Sequence, residues 1–167
     1  MAEPTPIYLD TCVIIELLQQ SDQARFDACE ALRLRAYNDE LVIVVSALTI
    51  TEVNRLPNSG KLPEEQSQLI LDFFENPYIS VRPVDRRIAE SAHHLTRTHG
   101  LTNLDAIHVA TADLCRVDVL YTFDSAKNKR KGLLRHNLAI GKPPLRIEIP
   151  PDPTRGTLLH GIPETKS

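Results

Sequence analysis

Four acidic side chains are spaced so that a parallel sheet could bring them together. Asp10 closes the apolar run Ile7-Tyr8-Leu9, and Asp124 stands two residues past the run that ends at Thr122. Glu52 follows the apolar stretch Leu41–Val45 by about two helical turns. Asp105 falls in the first turn of a helix that starts at Thr102. In open parallel sheets, ligands bind beyond the carboxyl ends of the strands. A helix leading into the next parallel strand begins at that same edge, so all four carboxylates belong to one rim. Converging carboxylates repel one another unless a cation neutralises them. Hard divalent ions such as Mg²⁺ or Mn²⁺ favour oxygen ligands of this kind. Such ions lower the pKa of a bound water and support in-line phosphoryl displacement. Simpler roles compete at each position. Thr49-x-x-Glu52 and Thr102-x-x-Asp105 both fit a capping box, and Asp10 and Asp124 fit turn or cap positions. The conjunction at one rim favours the chemical reading.

The elements that must position these acids follow from the apolar pattern. Strands are expected near 7–10, 41–45, 79–84, 118–122 and 145–149. Thr11 is expected to cap a helix from Cys12, and a second helix runs from about Asp22 to Tyr37. A helix follows Ser46 to about Leu56, and Pro63 opens another through Asn76. Asp85 caps a helix that Gly100 ends. Thr102 starts one reaching about Arg116. Strands alternating with helices predict an α/β fold with a mainly parallel central sheet. Residues 1–149 form the domain. Residues 150–167, with Pro150, Pro151, Pro153, Gly156, Gly161 and Pro163, read as a Pro/Gly-rich tail.

Length and composition agree. The chain has 167 residues, 42% hydrophobic and 25% charged, the balance of one ordinary globular domain. The longest apolar stretch, Leu41 to Ile50, is far short of the roughly 20 residues of a membrane helix. The N-terminus does not read as a secretory signal, so the expectation is a cytoplasmic protein. Cys12, Cys29 and Cys115 are far apart and odd in number, which argues against disulfides and structural zinc. His93, His94 and His99 form no HExxH pattern. No GxGxxG or GxxxxGK[ST] run is present, which removes dinucleotide and P-loop readings. A haloacid dehalogenase-type phosphatase needs a second Asp where Cys12 stands. Asp113 lies eight residues past Asp105 on the same helix. That is about 12 Å along the axis, too far to share an ion, and it reads as solvated. His108 reads as a packed or hydrogen-bonded residue on the apolar face of that helix, with Ala112.

The net charge of −3 hides an asymmetry. Residues 127–146 carry seven basic and no acidic groups, against −10 for the rest. The functional reading of Lys127, Lys129, Arg130 and Lys131 is a phosphate-binding arm, because it leaves the chain three residues after Asp124. The competing reading is a solvated face.

Four segments in order resemble the PIN-domain nucleases: Tyr8–Ile14, Ser46–Val53, Leu104–Ala112 and Leu120–Asp124. The likeness spans residues 7–125 and is nearest to the VapC-type toxins of toxin–antitoxin pairs. It implies a parallel sheet flanked by helices and a Mg²⁺- or Mn²⁺-dependent endoribonuclease acting on RNA. It further implies an antitoxin partner and a homodimer. By the same resemblance Asp10, Glu52, Asp105 and Asp124 are the catalytic metal ligands, with the hydroxyls of Thr11 and Thr122 in support. Family members place an aromatic residue or Leu where Lys127 stands, and end near the last strand. The alternative reading is a catalytically inactive PIN-like module that binds RNA or protein.

Overall fold

A computed structural model describes residues 3–53, 64–125 and 132–154. Its five strands are β1 (Thr5–Leu9), β2 (Leu41–Ser46), β3 (Ile79–Arg82), β4 (Val119–Tyr121) and β5 (Arg146–Glu148). Six helices join them: α1 (Thr11–Gln19), α2 (Gln23–Tyr37), α3 (Ala47–Val53), α4 (Glu64–Phe74), α5 (Arg86–His99) and α6 (Asn103–Leu114). A short 3-10 turn covers Leu133–His136. All strand pairings are parallel, in the order β3-β2-β1-β4-β5. The expected α/β fold with a parallel sheet is therefore what the chain adopts. Successive strands first step outward from β1 through β2 to β3. The chain then returns to lay β4 on the other side of β1. Strand order reverses there, and β1 and β4 flank the switch point at which such sheets bind ligands.

Side chains alternate across the sheet and feed two cores. Ile7, Leu9, Ile43 and Val45 pack with α1 to α4 on one face. Tyr8, Val44, Leu120 and Ile147 pack with α5 and α6 on the other. The uninterrupted apolar run of β2 fits a strand covered on both sides. Pro83 cannot donate to the ladder, so β3 stops at Arg82 rather than reaching residue 84.

Several expected boundaries shift. Asp10 belongs to no strand; it is the N-cap of α1, and its carboxylate accepts the Thr11 N–H. Thr11 is thus the first helical residue and not the cap. Thr102 caps α6 from outside, and the helix ends at Leu114. Ser46 caps α3 through its hydroxyl, which accepts the Leu48 N–H at 3.2 Å. The Thr49–Glu52 capping box is therefore not formed: Thr49 is fully buried inside the helix. Asp85 and Gly100 do bound α5, Gly100 in the left-handed region at φ 67°. Residues 54–56, Pro63, the arm residues 127–131 and the tail from 155 onward lie outside the described residues. Of the tail, Pro150, Asp152, Pro153 and Thr154 line one cleft with α2 and Phe123.

Candidate active site

Three of the four acids surround one buried imidazole. His108, on α6, is 2% exposed. Its Nε2 lies 2.8 Å from Glu52 Oε2, 3.4 Å from the Thr11 hydroxyl and 4.0 Å from Asp10 Oδ1. Asp105 sits one turn earlier on the same helix, close enough for its charge to act on His108. Asp105 also senses the charges of Asp10 and Asp124. The structure thus brings Asp10, Glu52, Asp105 and Asp124 to the carboxyl edge of the sheet, at the switch point between β1 and β4.

Each carboxylate is held by its own element. Asp10 is 8% exposed; its Oδ1 accepts the Thr11 N–H at 2.8 Å and its Oδ2 the Thr122 hydroxyl at 2.7 Å. Glu52 stands in the last turn of α3, and its Oε2 accepts from both the Thr11 hydroxyl and His108. Asp105 accepts the Thr102 hydroxyl at 2.6 Å while its N–H donates back to that oxygen at 3.2 Å. Asp105 is therefore both a cap partner and a rim acid. Asp124 directs its N–H to the Thr122 hydroxyl at 3.0 Å. Its Oδ2 accepts the Leu133 N–H at 2.9 Å, from the far side of the arm.

The electrostatics follow from this crowding. Burial, with the neighbouring charges of Asp10 and Asp124, raises the Asp105 pKa, against the pull of its Thr102 bond. Burial opposes ionisation of Glu52, but the bonds from His108 and Thr11 outweigh it and hold its pKa below the usual value. Burial likewise opposes a charged His108, and the Glu52 bond with the Asp10 charge overcomes it, raising its pKa. Cys12 touches the same site: its sulfur lies 3.4 Å from Asp10 Oδ2 and accepts the Phe123 N–H at 3.2 Å. Burial and the Asp10 charge push this thiol far above the normal range. It is a packing atom rather than a nucleophile.

The residues suit a hard cation in their donor chemistry, with carboxylate oxygens from four elements and crowding that an ion would relieve. Among the described residues, no three His, Cys, Asp or Glu side chains already close around one point as ligands.

Two further acidic residues lie elsewhere. Asp113 is half-buried rather than solvated, with its carboxylate beside Gly141. It lines a cleft of about 460 Å³ with Thr5 and Asp118, at the opposite, amino edge of the sheet. Glu16 is 5% exposed and accepts the Ser21 hydroxyl at 2.7 Å and the Asp22 N–H at 2.8 Å, a link between α1 and α2. All three cysteines are free. His108 is packed and hydrogen-bonded as the sequence suggested, but its partners Tyr8 and Glu52 were not foreseen. A signal existed in Tyr8, two residues before Asp10 in a buried strand, and His108, three after Asp105. Each is a polar group on a buried face that needs a partner.

A doubly wound parallel α/β protein with an acidic rim at its switch point is the class this defines. Residues 7–132 match the PIN domain, and the chain belongs to that family. Among solved structures, it resembles the sarcin–ricin loop-cleaving toxin VapC20 of Mycobacterium tuberculosis at 20% identity and a TM-score of 0.55, covering 71% of this chain and 90% of that one. A toxin–antitoxin complex from Klebsiella pneumoniae matches at 24% identity and a TM-score of 0.53, covering 70% and 84%. VapBC2 of Rickettsia felis, bound to a fragment of its promoter DNA, matches at 17% and 0.53, covering 87% and 98%. Among curated protein sequences none matches significantly.

Proposed function

We propose that the protein is a Mg²⁺- or Mn²⁺-dependent endoribonuclease and the toxin of a toxin–antitoxin pair. The observation that carries this reading is the gathering of Asp10, Glu52, Asp105 and Asp124 at the switch point, with Asp105 raised by burial and by its acidic neighbours. Asp10, Asp105 and Asp124 also serve local caps and turns, but those roles do not require that all four acids meet at one edge. An inactive binding module would be free to lose one of them, and all four are present.

In this reading Asp10, Glu52, Asp105 and Asp124 are the catalytic residues and the metal ligands. The ion, when bound, would supply an activated water and stabilise charge on the scissile phosphate. The chain's own residues do the positioning. Thr11 and Thr122 hold Asp10 and Glu52 by hydrogen bonds, and Thr102 holds Asp105. Lys127, Lys129, Arg130 and Lys131 bind the RNA backbone beside the rim.

The structural relatives include toxins in complex with antitoxins, which supports a cognate antitoxin as partner. A homodimer and a cytoplasmic location belong to the same proposal. Among the described residues no helix is long and apolar enough to cross a membrane. The deciding test is cleavage of a mixed RNA pool with added Mg²⁺ or Mn²⁺, compared with the Asp10→Asn protein. Cleavage by wild type alone is the expected result. Binding of RNA or of an antitoxin without cleavage by either protein would favour the inactive module.

A further inference from the structure

A buried polar chain runs from the sheet to the rim and is not explained by the packing around it. Tyr8 is fully buried in β1. Its hydroxyl accepts the Ser46 N–H at 3.0 Å and lies 2.7 Å from His108 Nδ1. The opposite nitrogen of that ring, Nε2, meets Glu52 Oε2 at 2.8 Å. An ionised carboxylate can only accept, so Nε2 carries a hydrogen in this bond. The Tyr8 oxygen thus bonds both the Ser46 N–H and the second nitrogen of the ring. The imidazole is thus held at both nitrogens, by Tyr8 on one side and Glu52 on the other. Burying a tyrosine hydroxyl and an imidazole costs free energy that apolar residues at the same places would avoid.

The end of the chain shows what it could serve. Glu52 is the next-to-last residue of α3, a helix of seven residues. A long side chain at a helix end has rotamer freedom that must be removed if the carboxylate is to be placed. His108 stands one turn from Asp105 on α6, and residues three apart on a helix are neighbours. The His108–Glu52 bond therefore sets the carboxylate of α3 in register with the carboxylate of α6.

We infer that His108 is a positioning residue of the rim: Tyr8 fixes the orientation of its ring, and the ring fixes Glu52 against Asp105 and Asp10. The inference rests on the metal-site reading above for its consequence, though not for the geometry of the chain. Groups that orient metal ligands typically contribute 10–100-fold in affinity.

The test uses the full chain with Mn²⁺ alone as probe, in His108→Ala, His108→Gln and Tyr8→Phe proteins. The Mn²⁺ dissociation constant, from calorimetry, is expected to rise about tenfold or more in His108→Ala. The Gln amide nitrogen can reach the place of Nε2, so His108→Gln should return to within about threefold of wild type. Tyr8→Phe keeps the ring and the packing. Its effect is expected in the ¹⁵N signals of the His108 ring, where the Nδ1 signal should shift as it loses its partner, together with a smaller rise in the dissociation constant. Unchanged or tighter Mn²⁺ binding in His108→Ala overturns the inference, as does His108→Gln behaving like His108→Ala. If wild type binds no Mn²⁺, the metal reading itself fails. The His108 ring ¹⁵N signals of Tyr8→Phe and Glu52→Gln then decide the chain, and signals identical to wild type overturn it.

Discussion

The Thr122 hydroxyl donates to Asp10 Oδ2 at 2.7 Å and, on its other side, accepts the Asp124 N–H at 3.0 Å. Thr122 is fully buried just past β4, and Asp10 stands just past β1. One hydroxyl therefore ties together two carboxylate-bearing turns across the switch point. Thr122→Val keeps the shape and removes both bonds. Leaving the Asp124 N–H and an Asp10 oxygen short of a partner should cost about 1–3 kcal/mol in denaturant unfolding. RNA cleavage should fall at least about tenfold, because a displacement of the rim carboxylates is felt by groups that must be held in place. Thr122→Ser keeps the hydroxyl and should cut at nearly the wild-type rate. Equal loss in both variants would show that the hydroxyl is not what the rim needs, since only Thr122→Val removes it.

Asp10→Asn and Asp105→Asn should each lower the cleavage rate by about 10²-fold or more, since a charge at the reacting centre is removed. Stability should move the other way for Asp105. Its pKa is raised in the folded protein, by burial first and then by Asp10 and Asp124. A raised carboxyl favours the folded state below its ordinary pKa, and that advantage is lost as pH rises through the folded value. At neutral pH the ionised Asp105 is thus a cost, and Asn removes it. The melting temperature of Asp105→Asn without metal should equal or exceed that of wild type. Asp113→Asn, at the amino edge, is the control for rate. A control that loses as much activity as the rim variants would show the site to be misplaced.

These acids were legible in the sequence for a physical reason. A parallel sheet exposes its carboxyl edge, so polar residues that end apolar runs collect there whatever the details of packing. The long-range partners were not legible. Tyr8 and His108 are 100 residues apart, and only the packing of α6 on β1 pairs them. Local signals also competed. Thr49-x-x-Glu52 has the form of a cap, but Ser46 takes that role three residues earlier and frees Glu52 to reach His108. Asp113 reads as solvated in sequence because periodicity cannot show that Gly141 comes back against it.

Metal removal should separate chemistry from binding. Chelation with EDTA is expected to stop RNA cleavage, and Mg²⁺ or Mn²⁺ in excess to restore it. The charges that act on Asp105 are those of Asp10, Asp124 and His108. A single imidazole already bonded to Glu52 does not neutralise four carboxylates. Cleavage that persists in a contaminant-free preparation after exhaustive chelation would contradict the metal reading.

The tail offers a test of the domain boundary at residue 149. Pro150, Asp152, Pro153 and Thr154 line one cleft with α2, so the informative truncation removes 155–167. This segment includes Gly156, Gly161 and Pro163 and is too short and polar for a core. Its loss should leave the melting temperature of the domain nearly unchanged. Leu158, Leu159 and Ile162 are an apolar patch in its sequence. A fall of many degrees in differential scanning fluorimetry would show that this patch docks on the body.

The basic arm can be tested through salt. Lys127, Lys129, Arg130 and Lys131 lie outside the described residues, but both flanks of their segment meet the rim. Asp124 precedes it by a few residues, and after it Leu133 and Leu134 return their N–H groups to Asp124, at 2.9 Å to Oδ2 and 3.3 Å to the carbonyl. The described residues on both sides of the segment therefore meet at Asp124. The rest of the chain carries −10 and repels a polyanion at long range, so a local positive segment is needed to hold RNA near the acids. Replacing all four residues with Gln should weaken binding to RNAs of any sequence. The slope of log affinity against log salt should become shallower by about 0.7 for each phosphate that the arm no longer neutralises, up to roughly 3. The rate at saturating RNA should change much less, because these groups hold the strand without acting on the scissile bond. A quadruple variant with wild-type affinity and salt slope would return the arm to a solvated face, and the groups that hold the strand would have to lie elsewhere on the rim.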